Sequence, residues 1–125
     1  MVTASYIPDR GDVVWLDFQP QIGHEQTGRR PAVALSPYAY NAKVGLALFC
    51  PITSRAKGYP FEVALPVNCG VTGVVLSDKV KSLDWRARRA KFICCLPDSV
   101  ITDILILLAV LITPGPQPGL TEEMS

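Results

Sequence analysis

The chain has 125 residues, of which 49% are hydrophobic and 18% charged, and its formal net charge is +1. This size and composition fit one globular domain with a real core and exclude a disordered chain. Because the net charge is close to zero, any binding to nucleic acid has to come from a local basic patch. Residues 1–12 contain no basic start followed by an apolar stretch, so we expect no signal peptide and a cytoplasmic protein.

The cysteines of this chain are Cys50, Cys69, Cys94 and Cys95. They show no Cys-x-x-Cys spacing and the chain has only one histidine, so we expect neither a zinc site nor another cofactor. Cys94 and Cys95 would point to opposite faces of a strand and would not easily share a metal. We interpret the four residues as reduced, mostly buried thiols of a cytosolic protein.

Short apolar stretches separated by glycine and proline turns predict many short strands. The predicted strands are residues 13–18, 31–36, 45–52, 61–65, 74–76, 80–83 and 91–96. A polar loop at residues 19–30, of a length that is usually functional or mobile, separates the first two strands. Residues 37–43 are predicted to form a short helical turn capped by Ser36. The run at 45–52 is almost continuously apolar, which indicates a central strand buried on both faces.

A helix is predicted from Pro97 to about Ile112, where the sequence Thr-Pro-Gly-Pro ends it. Together with the strands, it predicts a mainly β (α+β) fold, a small curved barrel closed by a helix. Residues 1–112 would form the single domain, and residues 113–125 a disordered tail.

The predicted helix is apolar on all sides. One face carries Ile101, Ile104, Leu105, Leu108, Ala109 and Ile112, and the other carries Ile106, Leu107, Val110 and Leu111. The run is too short for a membrane span and contains Asp103, so we expect no membrane association. A helix of this kind is typically covered by a partner subunit.

The segment at residues 23–33 concentrates groups that handle phosphate. Cleavage of RNA by its own 2′-hydroxyl needs a base, support for the phosphorane and an acid, and in principle no metal. Arg30 could grip phosphate oxygens with two hydrogen bonds, and Thr53, after the central apolar run, could donate its hydroxyl. Glu25 could accept a proton or orient the arginine, and His24 is a candidate acid or base. The alternatives are an arginine paired with a carboxylate, a structural threonine and a solvated histidine.

A second basic cluster occupies residues 85–91. If this segment is extended, Arg86 and Arg88 project from one face, as Lys79 and Lys81 do further upstream. Such pairs could follow a single-stranded backbone, with Trp85 or a nearby tyrosine as a base-stacking surface. The alternative is a solvated strand face with Trp85 in the core.

Six motifs follow one another along the chain: residues 10–18 (RGDVVWLDF), 23–31 (GHEQTGRRP), 35–37 (LSP), 50–54 (CPITS), 57–63 (KGYPFEV) and 82–88 (SLDWRAR). In this order they resemble the MazF/PemK family of bacterial toxin endoribonucleases, over residues 6–112. The resemblance implies an SH3-like β-barrel of the PemK/CcdB type with a short helix and a C-terminal helix, and a homodimer. It also implies sequence-specific, metal-independent cleavage of single-stranded RNA, usually mRNA, to 2′,3′-cyclic phosphate and 5′-hydroxyl ends.

The resemblance also assigns residues. Arg30 and Thr53 fall on the family's catalytic arginine and threonine, and Glu25 falls on a carboxylate implicated in some members. The loop at residues 19–29 corresponds to the segment that shapes substrate access. The residues expected to contact RNA are His24, Gln26, Arg29, Ser54, Lys57, Lys79, Arg86 and Arg88. A MazE-like antitoxin would bind as an extended, acidic segment across the dimer and block the RNA groove.

This sequence departs from the family at two places. Lys79 follows Asp78 where many members have glutamine, which leaves the RNA contacts there open. The C-terminal helix is more apolar than is expected for the family.

Two other functions are compatible with this fold class. A gyrase poison of the CcdB type relies on a tryptophan near its C-terminal end, whereas this chain ends in Glu-Glu-Met-Ser. An SH3-like adaptor for proline-rich peptides needs an exposed aromatic groove, and only 8% of the residues are aromatic, mostly in predicted strands.

Overall fold

The computed structural model of the protein describes residues 6–18 and 28–115. The elements in these ranges are β1 (Asp12–Asp17), β2 (Arg29–Ala34), α1 (Tyr38–Val44), β3 (Ala47–Thr53), β4 (Glu62–Ala64), β5 (Val74–Leu76), β6 (Lys81–Leu83), β7 (Lys91–Cys95) and α2 (Asp98–Ile112). Every strand and both helices predicted from the sequence are present in the predicted order. The predicted tail beyond residue 115 lies outside the described residues.

The described strands form one antiparallel sheet in the order β4-β5-β3-β2-β1-β7, with β6 also paired to β3. The central strand is β3, which pairs with β2 along one edge and with β5 and β6 along the other. Phe49 and Cys50 are fully buried on opposite faces of β3, which confirms that it is a central strand. Leu48 is the exception, since it is 37% exposed.

Two hydrophobic clusters cover the two faces of the sheet. Side chains alternate along a strand, so Val13 belongs to one cluster and Val14 to the other. The first cluster includes Ile101, Ile104 and Leu108 of α2. The other cluster is completed by Trp85. Both cores converge on β1 to β3, the strands that carry the candidate site.

Helix α1 is held by a buried side chain and not by the predicted cap. The backbone begins the helix after Pro37 without a side-chain cap. The Ser36 hydroxyl donates to Asn41 Oδ1 at 2.6 Å and accepts the Leu48 N–H at 2.9 Å, so the prediction that Ser36 caps α1 is wrong. Asn41 is fully buried and donates to the carbonyls of Pro8 and Ser36. A buried amide is stable only when its polar atoms are paired, and here the pairing ties three segments together.

Two further expectations are corrected by the strand boundaries. Strand β2 begins at Arg29 and not at residue 31, so Arg29 and Arg30 belong to the sheet and not to the preceding loop. The segment at residues 85–89 is a turn and not extended. Trp85 is 2% exposed and its indole N–H donates to the Asn41 carbonyl at 3.1 Å, so this ring is part of the core and is not a stacking surface.

Helix α2 leaves one apolar face uncovered. The predicted face packs on the sheet through Ile101, Ile104 and Leu108, but Ile112 is 69% exposed and lies outside the core. On the other face Ile106 is 58% and Leu111 50% exposed. Neither this 15-residue helix nor α1 is long and apolar enough to span a membrane, and these are the helices of residues 6–18 and 28–115.

Candidate functional site

Arg30 and Thr53 lie on neighbouring strands and line the same cleft. In the β2–β3 register Ala32 lies opposite Pro51. Extending this antiparallel pattern by two residues places Arg30 opposite Thr53. Both residues line an open cleft of about 720 Å³, which we call the Thr53 cleft. Its remaining lining residues are Trp15, Pro31, Ile52, Ser54, Arg55, Gly70, Val71 and Thr72.

The Thr53 hydroxyl lines the cleft and keeps its O–H available to donate. Its oxygen accepts the backbone N–H of Arg55 at 3.2 Å. A hydroxyl carries one proton and two lone pairs, so this contact occupies the oxygen and leaves the O–H to donate elsewhere. The catalytic role of Thr53 remains a prediction, and the structure places its side chain on the same cleft as Arg30.

Arg29 and Arg30 are adjacent but have different surroundings. Arg29 donates to Asp17 Oδ1 at 2.7 Å and to the Arg89 carbonyl at 2.9 Å. Among the described residues, the Arg30 guanidinium has no hydrogen-bond or ion-pair partner, and it is exposed. Successive side chains of a strand point to opposite faces, which separates the two guanidinium groups. Arg30 is thus the arginine of this pair that can receive an anion in the cleft.

Asp17, the last residue of β1, pairs with Arg29 and Arg89. Its carboxylate accepts from Arg89 Nε at 2.8 Å and from Arg29 Nη1 at 2.7 Å. The hydrogen bond from Arg89, followed by the interaction with Arg29, lowers the pKa of Asp17 below its usual value of 3.8. The carboxylate is therefore ionised at neutral pH and fixes both arginines beside β1.

The arginines of the second basic cluster, at residues 85–91, contact other parts of the protein. Arg88 is half-buried and donates to the carbonyls of Asp17 and Phe18 at 3.0 and 2.7 Å. The guanidinium of Arg86 is exposed and lies 5.2 Å from the centroid of the Trp85 ring. Arg86 and Arg88 consequently do not form the common strand face that the sequence suggested, and neither lines the Thr53 cleft.

A second depression, the Tyr59 pocket, adjoins the cleft and shares Thr53 and Arg55 with it. It has a volume of about 560 Å³ and is also lined by Lys57, Tyr59, Glu62, Leu76 and Lys79. The Tyr59 hydroxyl donates to Asp78 Oδ2 at 2.6 Å, and this hydrogen bond raises the pKa of Tyr59 above its usual value of 10.0. The Glu62 carboxylate accepts the backbone N–H groups of residues 57 and 58. Arginine side chains thus line both depressions around Thr53, and lysine side chains line the Tyr59 pocket.

The segment at residues 65–73 contributes three residues to the lining of the Thr53 cleft, and we call it the cleft wall. Gly70, Val71 and Thr72 supply the lining atoms. Gly73 is held directly against β3, because a Cβ built at this position would lie 2.1 Å from the Thr53 carbonyl oxygen. With a φ of +131°, Gly73 also has a backbone conformation that other residues rarely adopt.

His24, Glu25 and Gln26 lie outside the described residues. The backbone N–H of Phe18 donates to the Gly28 carbonyl at 2.8 Å, so the two ends of segment 19–27 are joined next to β1 and β2. The roles of these three residues remain predictions.

Two cleft residues were not singled out from the sequence. Trp15 lines the cleft and Arg55 lines both depressions. The sequence indicates that Trp15 belongs to strand β1, between the core residues Val14 and Leu16. Arg55 lies outside the strands and helices, so no periodic pattern indicates where its side chain points. Trp15 is the aromatic residue among those that line the cleft, whereas the sequence suggested Trp85 or a nearby tyrosine as the base-stacking surface.

These features define a small antiparallel β domain with an arginine-lined cleft where two strands meet. Comparison with known proteins identifies its relatives. The family model for the PemK-like, MazF-like toxin of type II toxin–antitoxin systems matches residues 9–112. The endoribonuclease toxin MazF of Escherichia coli K12 is 53% identical over 89 residues, which cover 71% of this chain and 79% of the relative.

Solved structures give the same result. MazF from Deinococcus radiodurans is 55% identical with a TM-score of 0.80, over 88% of this chain and 100% of that chain. A MazE–MazF structure from the same organism has a TM-score of 0.79 at 50% identity, over 89% of this chain and 100% of that chain. This chain therefore belongs to the PemK-like, MazF-like family of type II toxins. The expected barrel-like β fold with a C-terminal helix is confirmed.

Proposed function

We propose that this protein is the toxin of a type II toxin–antitoxin system and a metal-independent endoribonuclease that cleaves single-stranded RNA, with mRNA as its usual target. The observation that carries the proposal is that the Thr53 hydroxyl and the Arg30 guanidinium, which has no partner among the described residues, lie on one cleft. The endoribonuclease activity named for the relatives at 53% and 39% identity supports it.

Each residue has a role in this mechanism. Arg30 grips the scissile phosphate with two N–H groups and helps to transfer protons. Thr53 donates its hydroxyl to the phosphorane oxygens, which carry more negative charge in the transition state than in the ground state. Glu25 orients the arginine or accepts the proton of the 2′-hydroxyl. The bond from the 2′-oxygen to phosphorus forms while the bond to the 5′-oxygen breaks, which leaves a 2′,3′-cyclic phosphate and a 5′-hydroxyl.

The surroundings of the two catalytic residues suit a single strand. Trp15 in the cleft and the exposed Tyr59 in the neighbouring pocket offer aromatic faces for unstacked bases. Arg55, Lys57 and Lys79 provide positive charge along the same surface for adjacent phosphates. Ser54 lines the cleft beside Thr53 and adds a further hydrogen-bonding group.

The activity is tested by incubating the protein in EDTA with a mixed-sequence single-stranded RNA. The matched substrates are the DNA of the same sequence and the 2′-O-methyl RNA, which lacks the nucleophile. We expect cleavage of the unmodified RNA alone, with cyclic phosphate ends. Cleavage of either matched substrate, or 5′-phosphate ends, would contradict the mechanism. An inert but folded protein would favour a non-catalytic role, such as that of a gyrase poison.

The exposed face of α2 supports a homodimer. Ile106, Val110 and Leu111 are each at least 40% exposed on a helix whose other face is already packed on the sheet. Burying one such side chain contributes about 1.5–3 kcal/mol, which favours covering the face with a second copy.

We expect the double substitution Ile106→Lys and Val110→Lys to weaken dimerisation by roughly a hundredfold or more, because charged side chains would replace the apolar contact. Sedimentation equilibrium across a concentration series measures this change. Val67→Lys is the matched control, since Val67 is 91% exposed and is not a residue of α2. A wild-type protein that stays monomeric at high micromolar concentration would rule out the dimer.

A MazE-like antitoxin is the expected protein partner. The related Deinococcus radiodurans structure is a MazE–MazF complex, and a mycobacterial endoribonuclease structure contains its cognate antitoxin. An extended acidic segment would complement the cationic surface formed by Arg30, Arg55, Lys57 and Lys79 and would exclude RNA from it. A toxin that acts on mRNA with such a partner would work in the cytoplasm.

A further inference from the structure

Two thiols meet where the cleft wall packs on β7. The Sγ atoms of Cys69 and Cys94 are 2.7 Å apart, and both residues are free cysteines. Cys69 is buried within the cleft wall, and Cys94 is half-buried in β7. The two residues are 25 positions apart in sequence, so the fold alone brings them together.

The other two cysteines do not compete for this contact. Cys50 is fully buried in the core, where its thiol faces the Ser77 carbonyl at 3.8 Å. Cys95 follows Cys94 on the opposite side of β7, and its thiol faces the Leu96 carbonyl at 3.7 Å. Cys69 and Cys94 therefore form a specific pair.

The cysteine pair joins the cleft wall to β7. Gly70, the next residue after Cys69, packs so closely on β7 that a Cβ built there would lie 3.2 Å from Ile93 Cγ2. Gly70 also lines the Thr53 cleft with the two residues that follow it. Gly73 then contacts the Thr53 backbone. A covalent bond at residue 69 would consequently restrain the segment that lines the cleft with Arg30 and Thr53.

We propose that Cys69 and Cys94 are a reversible dithiol–disulfide pair, whose oxidation fixes the cleft wall to β7. A disulfide has an S–S length of about 2.04 Å, so the two sulfur atoms need to approach by only about 0.7 Å. Disulfides in reducing compartments are usually transient and redox-sensing, which fits a half-buried and accessible partner at Cys94.

The oxidant is a small disulfide, such as oxidised glutathione. The Cys94 thiolate attacks one sulfur of the oxidant, which forms a mixed disulfide and releases one equivalent of thiol. The Cys69 thiolate then attacks the Cys94 sulfur and releases the second equivalent. Two protein thiols are thus oxidised to one disulfide while one small disulfide is reduced to two thiols.

The reaction is expected to be slow. Burial, reinforced by the hydrogen bond with Cys69, raises the pKa of Cys94 to about 12. Only the thiolate attacks a disulfide, so little of the reactive form is present at neutral pH. The pair is therefore assayed at equilibrium and not by its initial rate.

The first measurement establishes the bond. The full-length protein is equilibrated in buffers of graded reduced and oxidised glutathione, trapped with an alkylating agent and analysed by peptide mass spectrometry. We expect one intramolecular Cys69–Cys94 crosslink that a reductant removes. Cys95→Ser, which changes the neighbouring thiol, is expected to retain the crosslink, and Cys94→Ser is expected to lose it. Absence of the crosslink in the wild type, or a crosslink to Cys95 instead, would overturn the proposal.

The second measurement tests the restraint and requires only wild-type protein in its two redox states. We expect amide hydrogen exchange at residues 70–73 to slow by roughly tenfold or more on oxidation. Exchange in α1, far from the pair in the sequence, serves as the internal reference. A crosslink that leaves exchange at residues 70–73 unchanged would overturn the proposed restraint. No RNA is used, so the outcome is independent of the proposed ribonuclease activity.

Discussion

Replacement of Arg30 by alanine is expected to reduce RNA cleavage by about two to three orders of magnitude without unfolding the protein. Arg30 is exposed and, among the described residues, has no side-chain partner, so its loss removes no contact that holds the sheet. Removal of one donor to a developing oxyanion typically costs about 2.7–4 kcal/mol of transition-state stabilisation. Single-turnover cleavage of a defined RNA measures the loss, and circular dichroism verifies the fold.

The neighbouring arginine supplies the matched control. Arg29 differs from Arg30 in pairing with Asp17, so Arg29→Ala should cost about 1 kcal/mol of stability and leave cleavage within tenfold of wild type. Arg30→Lys keeps the charge but loses the bidentate hydrogen bonding of the guanidinium. Its cleavage rate should lie between those of the wild type and Arg30→Ala. Equal cleavage by the Arg30→Ala protein and the wild type would remove Arg30 from the mechanism.

The second large effect is expected from the smallest possible substitution, Gly73→Ala. The added methyl group would lie 2.1 Å from the Thr53 carbonyl oxygen, and alanine would also have to adopt a φ of +131°. The added methyl group would overlap a backbone atom of β3, so either the segment around residue 73 or the β3 backbone would have to move. We expect a loss of about 3 kcal/mol or more in the free energy of unfolding, measured by chemical denaturation.

Gly45→Ala is the control for Gly73→Ala, because it introduces the strain of a positive φ without a steric conflict. Gly45 ends α1 with a φ of +82°, but no atom lies within 4 Å of a Cβ built there. This substitution should cost about 1 kcal/mol. Any Gly73→Ala protein that folds should also cleave RNA poorly, because Thr53 is the residue that is displaced. Equal free energies of unfolding for Gly73→Ala and Gly45→Ala would show that residue 73 has no steric conflict with β3.

The elements of the fold were predictable because their signals are local. Runs such as Val13–Val14 in β1 and Phe49–Cys50 in β3 combine β-forming side chains with turns at both ends. The helix α2 begins after a proline and ends at Ile112, as the sequence indicated. The predicted end of β3 at residue 52 falls one residue before the observed end at Thr53, and the role of Arg30 remains a prediction from residue type and motif order.

What the sequence could not supply depends on pairing between distant segments. Whether Arg29 or Arg30 faces the cleft depends on where β2 begins and on the position of Asp17, which lies across the strand pair. The position of Trp85, for which the sequence left both a stacking surface and the core open, has the same cause. Trp85 packs in the core, where the distant Asn41 carbonyl accepts its N–H, and the residues next to Trp85 in the sequence do not predict this contact.

Thr53 lies where two depressions of different size and lining meet. This arrangement affects how the base preference of the enzyme could change through substitutions. A phosphate held at Thr53 would have its preceding and following nucleotides on different surfaces, one containing Trp15 and the other Tyr59. Substitutions in one depression could then alter base preference on one side of the cut while chemistry and the other side persist. Related toxins built on this scaffold could therefore acquire new target sequences one nucleotide position at a time.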